Sequence, residues 1–202
     1  MSTKDRILEV AIDLFAERGF GEVSIREITR AVGIKESSLY NHFASKQQIL
    51  DEIFDYLKQQ FDFMSIPEGE MLETLANSTP EAYIELNIQG FQAYVGNPLF
   101  MKIWRILSIE RHKNQRAREM FNHHFIDEPI EFQTKVFGAM MDRGMVPRLD
   151  PKVLAREFYS YILYLYFRYM ETDRSSTLDN NAELQQMVRE HIEFLNFVFT
   201  KR

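Results

Sequence analysis

Residues 24–43 read SIREITRAVGIKESSLYNHF, and this stretch encodes two short helices joined at a glycine. Ser24 and Glu27 have the spacing of a capping box, in which each side chain binds the other residue's backbone amide at the start of a helix. Gly33 is the residue type that most readily ends a helix in the left-handed conformation. The sequence therefore predicts a helix of about two turns that ends at Gly33, followed by a shorter helix over about residues 36–42.

A further helix is predicted on each side of this pair. Upstream, apolar residues from Ile7 to Phe15 share one stripe, and Arg18 and Gly19 mark the end of the helix. Downstream, residues 45–48 (SKQQ) have the pattern of a second capping box and open a long helix. Two short helices braced in this way form a helix-turn-helix module. The same spacing also fits a small helical bundle with no nucleic-acid role, so spacing alone leaves both interpretations open.

The rest of the chain also has helical periodicity, without any lasting strand-like alternation. Helices are predicted over about residues 80–95, 98–109, 115–143, 150–171 and 182–199, with a bend at Pro129 and a polar loop at 174–181. The expected fold is all-α with about nine helices. We expect a helix-turn-helix DNA-binding domain at residues 1–46 and a helical ligand-binding and dimerisation domain at residues 47–202.

Composition restricts the function classes. The net charge is −6, so a nucleic-acid site must be a local basic patch, and residues 24–48 do contain four basic residues against two glutamates. The chain has no cysteine, which excludes disulfides and thiolate zinc sites. The most apolar stretch, residues 153–170, is interrupted by three charged residues, and no apolar signal segment opens the sequence. We therefore expect a cytoplasmic protein with no membrane partner.

The run from Gly33 to Phe43, followed by Ser45 and Lys46, resembles the tetracycline-repressor (TetR) family of bacterial regulators. Residues 6–8, 11, 14–15, 19–20 and 24–28 fit the same family pattern in order and spacing, and the match covers about residues 4–52. The resemblance implies a homodimer, a helix-turn-helix in the major groove of operator DNA, and repression that a ligand relieves. Lys35 departs from the pattern, because the family usually has serine or threonine just before the recognition helix.

The predicted DNA contacts follow from position in this module. The base-edge candidates are Lys35, Glu36, Ser37 and Asn41. Lysine can donate to guanine, asparagine can pair with adenine, and glutamate can accept from cytosine. The resemblance implies phosphate contacts for Tyr40, His42 and Ser24. For Tyr40 the alternative is a core tyrosine, and for Ser24 capping alone would explain the residue.

Lys46 carries an argument that is independent of the family. A cation in the first turn of a helix opposes the helix dipole, at a cost of about 0.3–1 kcal/mol. Beside the free amides of a helix N-terminus, however, it favours a bound phosphate. We therefore predict that Lys46 contacts a DNA phosphate, and the alternative is an incidental surface lysine.

The C-terminal half concentrates aromatic residues and methionines, which suit an apolar small-molecule effector. The predicted pocket residues are Phe91, Tyr94, Met101, Trp104, Phe125, Phe132 and Tyr159. At helical spacing such residues are more often plain core, which is the alternative for each of them taken singly. The last two helices are predicted to form the dimer interface through Tyr161, Leu165, Leu184, Val188, His191, Leu195 and Val198. The alternative for these residues is an intramolecular core.

No cofactor, metal site or catalytic site is expected. His123 and His124 are adjacent, so on an α-helix their side chains point about 100° apart and would not easily share an ion with Glu128. We therefore predict surface or pocket-rim histidines, His112 among them. The chain contains no Gly-rich phosphate loop and no nucleophile elbow. The predicted function is a repressor that binds a palindromic operator as a homodimer and is released by a small, largely apolar ligand. The alternatives are an activator, a ligand-independent regulator, or a helical enzyme or scaffold.

Overall fold

The computed structural model of the 202-residue chain describes residues 1–64, 68–171 and 182–200, and in these ranges every regular element is a helix. Within them, the side chains of residues 60–64, 68, 70, 71, 169–171, 184 and 200 are not described. The described helices are α1 (Thr3–Arg18), α2 (Ile25–Val32), α3 (Glu36–Tyr40), α4 (Lys46–Met64), α5 (Glu68–Ala76), α6 (Pro80–Val95), α7 (Pro98–Glu110), α8 (Gln115–Asn122), a π turn (His123–Asp127), α9 (Glu128–Asp142), α10 (Pro151–Glu171) and α11 (Ala182–Thr200). The prediction of an all-α fold is confirmed.

The described residues contain eleven α-helices, whereas about nine were expected, and two features account for the difference. Helix α5 lies before residue 80, in a stretch where no separate helix was predicted. The single helix expected over residues 115–143 is divided into α8, the π turn and α9, and Pro129 lies in the first turn of α9. Proline is tolerated at that position because its missing N–H has no intrahelical partner to lose. The polar loop expected at residues 174–181 lies outside the described residues.

Local signals set the ends of the first helices. Ser24 Oγ accepts a hydrogen bond from the Glu27 amide at 3.3 Å, and Glu27 Oε2 accepts from the Ser24 amide at 2.8 Å, which confirms the predicted capping box. Gly33 ends α2 with a φ of 78°, a conformation that L side chains rarely adopt. At the start of α4, Ser45 Oγ accepts from the Gln48 amide at 3.1 Å. The Gln48 side chain accepts from the Ala44 amide and not from Ser45, so this second box is displaced by one residue.

The capping box has a measurable pH dependence. Hydrogen bonds from the Ser24 backbone, the Ser24 hydroxyl and Arg18 lower the pKa of Glu27 to about 2. Because the pKa is lower in the folded state, this stabilisation is present above the unfolded value of about 4.3 and is lost as pH falls toward 2. We expect the melting temperature of the wild type to fall more between pH 6 and pH 3 than that of Glu27→Gln, whose amide stays neutral.

Glu9→Gln is the control for this comparison, because it removes another exposed carboxylate, on α1. Its melting temperature should follow the wild-type curve. Parallel curves for the wild type and Glu27→Gln would show that the Glu27 carboxylate does not contribute to the acid sensitivity.

Contacts divide the chain into two compact units that are discontinuous in sequence. The first comprises Met1–Met64 and Pro98–Asn122, so α7 and α8 pack with the first four helices. The second comprises the described residues of Ser65–Asn97 and His123–Arg202. The expected boundary between residues 46 and 47 concerns function, and these contacts do not test it. It stays a prediction.

Each unit has its own core. In the first, Ile7, Phe15, Ile28, Leu39 and Phe54 are all fully buried, which fixes α1 to α4 around one apolar centre. In the second, the rings of Tyr83, Phe137 and Phe158 pack against one another. Their centroids are 5.6 Å (Tyr83–Phe137), 5.3 Å (Phe137–Phe158) and 6.1 Å (Tyr83–Phe158) apart. No helix in the described part of the chain is long and apolar enough to cross a membrane.

Helices α10 and α11 run antiparallel in the second unit. The Tyr161 hydroxyl of α10 donates to the Met187 carbonyl of α11 at 3.2 Å. About two turns further along α10, Arg168 donates to Glu183 at 2.6 Å, so residue numbers rise on one helix as they fall on the other. Near the start of α10, the ring of Phe158 lies 6.2 Å from that of His191.

Candidate functional site

Most of the predicted DNA-contacting residues are exposed on α3 and on the residues that flank it. The buried anchor of the helix is Leu39, which is fully inaccessible to solvent. Around this anchor the exposed side chains are Lys35, Ser37, Tyr40, Asn41 and His42. Tyr40 is 51% exposed, so it is not a core residue. Lys35 stands at the N-cap without a side-chain capping bond, as its residue type predicts.

Glu36 is held by an arginine of the preceding helix. Arg26 Nε lies 3.0 Å from Glu36 Oε1, and the two side chains are 81% and 44% exposed. Such an exposed pair contributes at most about 1 kcal/mol, so Glu36 can exchange Arg26 for a base at low cost. Among the described residues, Arg30 and Lys35 are exposed and have no ion-pair partner.

Ser24 is occupied by its capping role. Its hydroxyl accepts from the Glu27 amide and donates to Glu27 Oε2 at 2.7 Å. The single hydroxyl proton is therefore directed at Glu27, and a phosphate would have to replace that carboxylate as acceptor. Capping accounts for the residue in this structure, and the phosphate contact stays a prediction.

Lys46 binds the loop between α1 and α2. Its Nζ donates to the carbonyl oxygens of Phe20 and Val23, both at 2.7 Å, and lies 4.2 Å from the centroid of the Phe20 ring. An ammonium group has three hydrogens, so one remains for a further acceptor such as a phosphate oxygen. The lysine is thus a structural residue and not an incidental one. Its predicted DNA contact is not tested by these bonds.

The same loop is also held from α7. The Phe20 amide donates to Glu110 Oε1 at 3.1 Å, and the Glu110 residue is only 8% exposed. The Phe20 ring packs edge-on against Phe15, with centroids 5.3 Å apart. Together with Lys46, these contacts fix Phe20 through its N–H, its carbonyl and its ring. The loop that leads into α2 is therefore positioned by α4 and α7.

Glu110 was not among the residues predicted from the sequence, although a signal for it exists. It continues the buried stripe of Ile103, Ile106 and Leu107 at helical spacing, so a carboxylate occupies an apolar position. Ion pairs add to the attachment of α7 and α8 within this unit. Lys102 lies 2.5 Å from Asp13, and Arg116 lies 2.6 Å from Asp55 and 3.2 Å from Asp51.

The structure separates the seven predicted pocket residues into two groups. Met101 and Trp104 are buried in the first unit, and the other five belong to the second. Of these five, Phe91 packs its ring edge-on against that of Tyr166, with centroids 4.9 Å apart, and Tyr94 and Tyr159 interact electrostatically with the Tyr166 hydroxyl. Burial raises the pKa of Tyr94, Tyr159 and Tyr166, so these hydroxyls stay neutral. The remaining two are Phe125, buried in the π turn, and Phe132, half-buried on α9.

A groove of about 610 Å³ runs between the first half of α10 and the second half of α11. Its walls include Leu149, Val153, Tyr161, Phe194 and Val198, with three acidic residues, Asp150, Glu157 and Glu190. Val153 is 51% exposed and Phe194 is 61% exposed, which is unusual for large apolar side chains. We refer to the residues named in this paragraph as the α10–α11 groove.

Four of the seven predicted interface residues line this groove: His191 and Leu195, which are buried, and Tyr161 and Val198, which are half-buried. Leu165 and Val188 are buried and do not line it. The side chain of Leu184 lies outside the described residues. Burial lowers the pKa of His191 to about 4, and its Nε2 has no hydrogen-bond partner among the described residues. The exposed apolar residues of α11, Phe194 and Phe197, were not predicted.

Comparison with known proteins gives one consistent result. A family model described as bacterial regulatory proteins of the tetR family matches residues 7–53. The HTH-type transcriptional repressor KstR2 of Mycolicibacterium smegmatis is 34% identical over 160 residues, which cover 77% of this chain and 73% of KstR2. IcaR, the negative transcriptional regulator of the biofilm operon icaADBC in Staphylococcus aureus, is 43% identical over 58 residues, or 27% of this chain and 31% of IcaR.

Solved structures with the same fold include two regulators. One, from Saccharomonospora viridis in complex with choline, aligns with a TM-score of 0.68 and 20% identity over 98% of both chains. The other is NalD, the secondary repressor of the MexAB-OprM multidrug efflux pump in Pseudomonas aeruginosa, with a TM-score of 0.64 and 22% identity over 95% of both chains. At these identities the likeness concerns the fold alone.

Proposed function

We propose that this chain, which belongs to the TetR family of bacterial regulatory proteins, represses genes by binding a palindromic operator as a homodimer. Like the other members of the family, it is a DNA-binding transcriptional regulator and not an enzyme. In this proposal a small, largely apolar ligand in the C-terminal half relieves repression. The similarity of the chain to the repressors KstR2 and IcaR supports repression and not activation. The proposed partner is double-stranded operator DNA, and the proposed location of the protein is the cytoplasm.

The observation that carries the proposal is the set of exposed side chains on and beside α3. Ser37 and Tyr40 on the helix, and Lys35, Asn41 and His42 directly beside it, are all exposed, while Leu39 anchors the helix in the core. A recognition helix needs this arrangement, because base edges are read by side chains that project from a rigidly anchored backbone. The net charge of −6 makes a general, non-specific attraction to DNA weak, so binding must come from this local surface.

Selection of DNA from a random-sequence library tests the proposal directly. We expect a palindromic sequence, bound at about nanomolar strength with a steep dependence on salt. A promoter carrying that sequence should lose transcription when the protein is added. Weak, sequence-blind binding would contradict the operator, and increased transcription would make the protein an activator.

Asn41→Ala should relax the sequence preference at one position in each half-site. Asparagine pairs with adenine through two hydrogen bonds, and loss of such a pair removes about 1–3 kcal/mol of discrimination. The measurement is the affinity for the selected operator and for variants with each base changed in turn. His42→Ala is the matched control, because a phosphate contact weakens every sequence equally. Retained discrimination at all positions would remove Asn41 from the base-reading set.

The proposed ligand site lies in the second unit around Phe91, Tyr94, Tyr159 and Tyr166. A cluster of aromatic side chains with buried, neutral hydroxyls suits a small molecule that is mostly apolar and offers one or two hydrogen-bonding groups. The ligand can act only through a difference in its affinity for the DNA-bound and free states. Release of labelled operator in a compound screen tests this. A regulator that no compound affects would support the ligand-independent alternative.

We propose that the dimer forms through the α10–α11 groove of two copies. Its exposed apolar side chains give each copy a surface that association would bury. To read two half-sites, a twofold dimer must present its two copies of α3 about one DNA turn apart, roughly 34–36 Å, or its equivalent on a widened site. This spacing is the geometric reason to expect a palindrome.

A further inference from the structure

The π turn brings together three side chains that can bind a metal ion. One ligand atom from each of His123, His124 and Glu128 lies within 4.8 Å of the other two. The three residues belong to the second unit, where His123 and His124 lie in the π turn and Glu128 begins α9. The groove and the aromatic cluster already described do not include them.

The π turn removes the reason for expecting no metal here. That expectation assumed α-helical geometry, in which adjacent side chains diverge by about 100°. A π turn closes its hydrogen bonds from i to i+5 and so holds more residues per turn, which brings adjacent side chains closer in direction. The rings of His123 and His124 accordingly have centroids 4.6 Å apart. Such turns are rare and are often found at functional sites.

The distance between the ligand atoms fits a tetrahedral ion. His124 Nδ1 lies 3.2 Å from Glu128 Oε2. Two ligands at about 2.0–2.1 Å from a tetrahedral zinc ion are roughly 3.3 Å apart, so an ion can take the place of the proton between these two atoms. The His124 side chain is only 9% exposed, which holds this ligand in position. His123 is exposed and can rotate to close the remaining distance.

We propose that His123, His124 and Glu128 form a binding site for a divalent transition-metal ion of the zinc type. Two imidazoles and one carboxylate suit zinc, nickel or copper, whereas magnesium and calcium prefer oxygen ligands. Three protein ligands leave a coordination position for water or another small ligand. The ion links the π turn to the first turn of α9.

Titration of the untagged, full-length protein with Zn²⁺ tests the site without DNA. After dialysis against a chelator, calorimetry should show one ion per chain with a Kd of about micromolar, and millimolar Mg²⁺ should not compete. His123→Ala and Glu128→Gln should each raise the Kd at least about tenfold. Both residues are exposed, so these variants should fold, and circular dichroism checks that they do. Co²⁺ in place of Zn²⁺ should give the visible absorption of a four-coordinate ion.

His112→Ala is the matched control. It removes another exposed histidine, which lies in the first unit and outside the cluster, so the Kd should stay within about twofold of wild type. Absence of saturable binding would overturn the proposal, as would equal binding by wild type, His123→Ala and Glu128→Gln. Because DNA takes no part in the measurement, its result is separate from the operator and ligand proposals.

Discussion

Phe194→Glu is expected to convert a dimer into a monomer. The Phe194 side chain is 61% exposed on the α10–α11 groove, so the substitution should leave the fold of the single chain intact. In the proposed dimer the same position is covered by the second copy, and a buried carboxylate without a partner costs several kcal/mol. Glu157 and Glu190 also line the groove and add repulsion. Sedimentation equilibrium should give about twice the 24.0 kDa chain mass for the wild type and the chain mass for the variant.

The loss of the dimer should be visible in operator binding. In a dimer, binding of the second half-site is intramolecular, which raises overall affinity by about 10² to 10⁴ over a single half-site. Phe194→Glu should therefore bind the full palindrome at least about 100-fold more weakly, and about as weakly as a single half-site. The measurement is fluorescence anisotropy with operators of one and two half-sites.

Leu86→Glu is the control for this variant. Leu86 lies on α6, is 48% exposed and does not line the groove. The Leu86→Glu substitution therefore removes a similar exposed apolar side chain and adds the same charge at a site outside the groove. It should remain dimeric and bind the operator as the wild type does. A Phe194→Glu protein that is still dimeric would place the interface elsewhere on the chain.

The interface illustrates what periodicity can and cannot predict. The spacing of Val188, His191 and Leu195 correctly indicates an apolar stripe on α11, and these residues are buried. Their spacing does not determine whether the stripe packs against helices of its own chain or against a second chain. In the single chain these residues are buried, and His191 and Leu195 line the same groove as the exposed Phe194, so their part in a dimer stays a prediction. Only the positions of neighbouring helices reveal which apolar face lacks a partner.

The N-terminal helices were predictable because their signals are local. The contacts between Ser24 and Glu27 span three residues, and the φ of Gly33 depends on its lack of a side chain. The π turn at His123 was not predictable in this way. Its residues have no composition that distinguishes them from an α-helix, so the periodicity predicted one continuous helix with a bend at Pro129.

The hydrogen bonds of the Phe20 backbone could not be predicted from the sequence for a different reason. Its carbonyl accepts from Lys46, 26 positions later, and its amide donates to Glu110, 90 positions later. Contacts at such separations depend on how the helices pack, and no spacing rule reports them. The sequence therefore identified Lys46 as unusual, through its position in the first turn of a helix, but gave no indication of the two carbonyls that it binds.

Lys46→Ala should consequently have two effects that are measured separately. Loss of the charge-assisted bonds to Phe20 and Val23 should lower the free energy of unfolding by about 2 kcal/mol. Loss of the predicted phosphate contact should weaken binding to all sequences and reduce the slope of log affinity against log salt by about one. Urea unfolding measures the first effect, and anisotropy at several salt concentrations, under conditions where the variant is folded, measures the second.

Lys58→Ala separates these effects from the loss of a positive charge as such. Lys58 is exposed on the same helix, about 18 Å further along its axis than Lys46. The Lys58→Ala substitution therefore removes one positive charge and leaves the contacts of the α1–α2 loop unchanged. Its stability should change by no more than about 0.5 kcal/mol, and its salt slope should stay that of the wild type. An unchanged slope in Lys46→Ala with reduced stability would refute the phosphate contact and leave Lys46 as the residue that holds the loop before α2. A reduced slope with unchanged stability would instead mean that the two carbonyl bonds contribute nothing to folding, and that Lys46 acts on DNA alone.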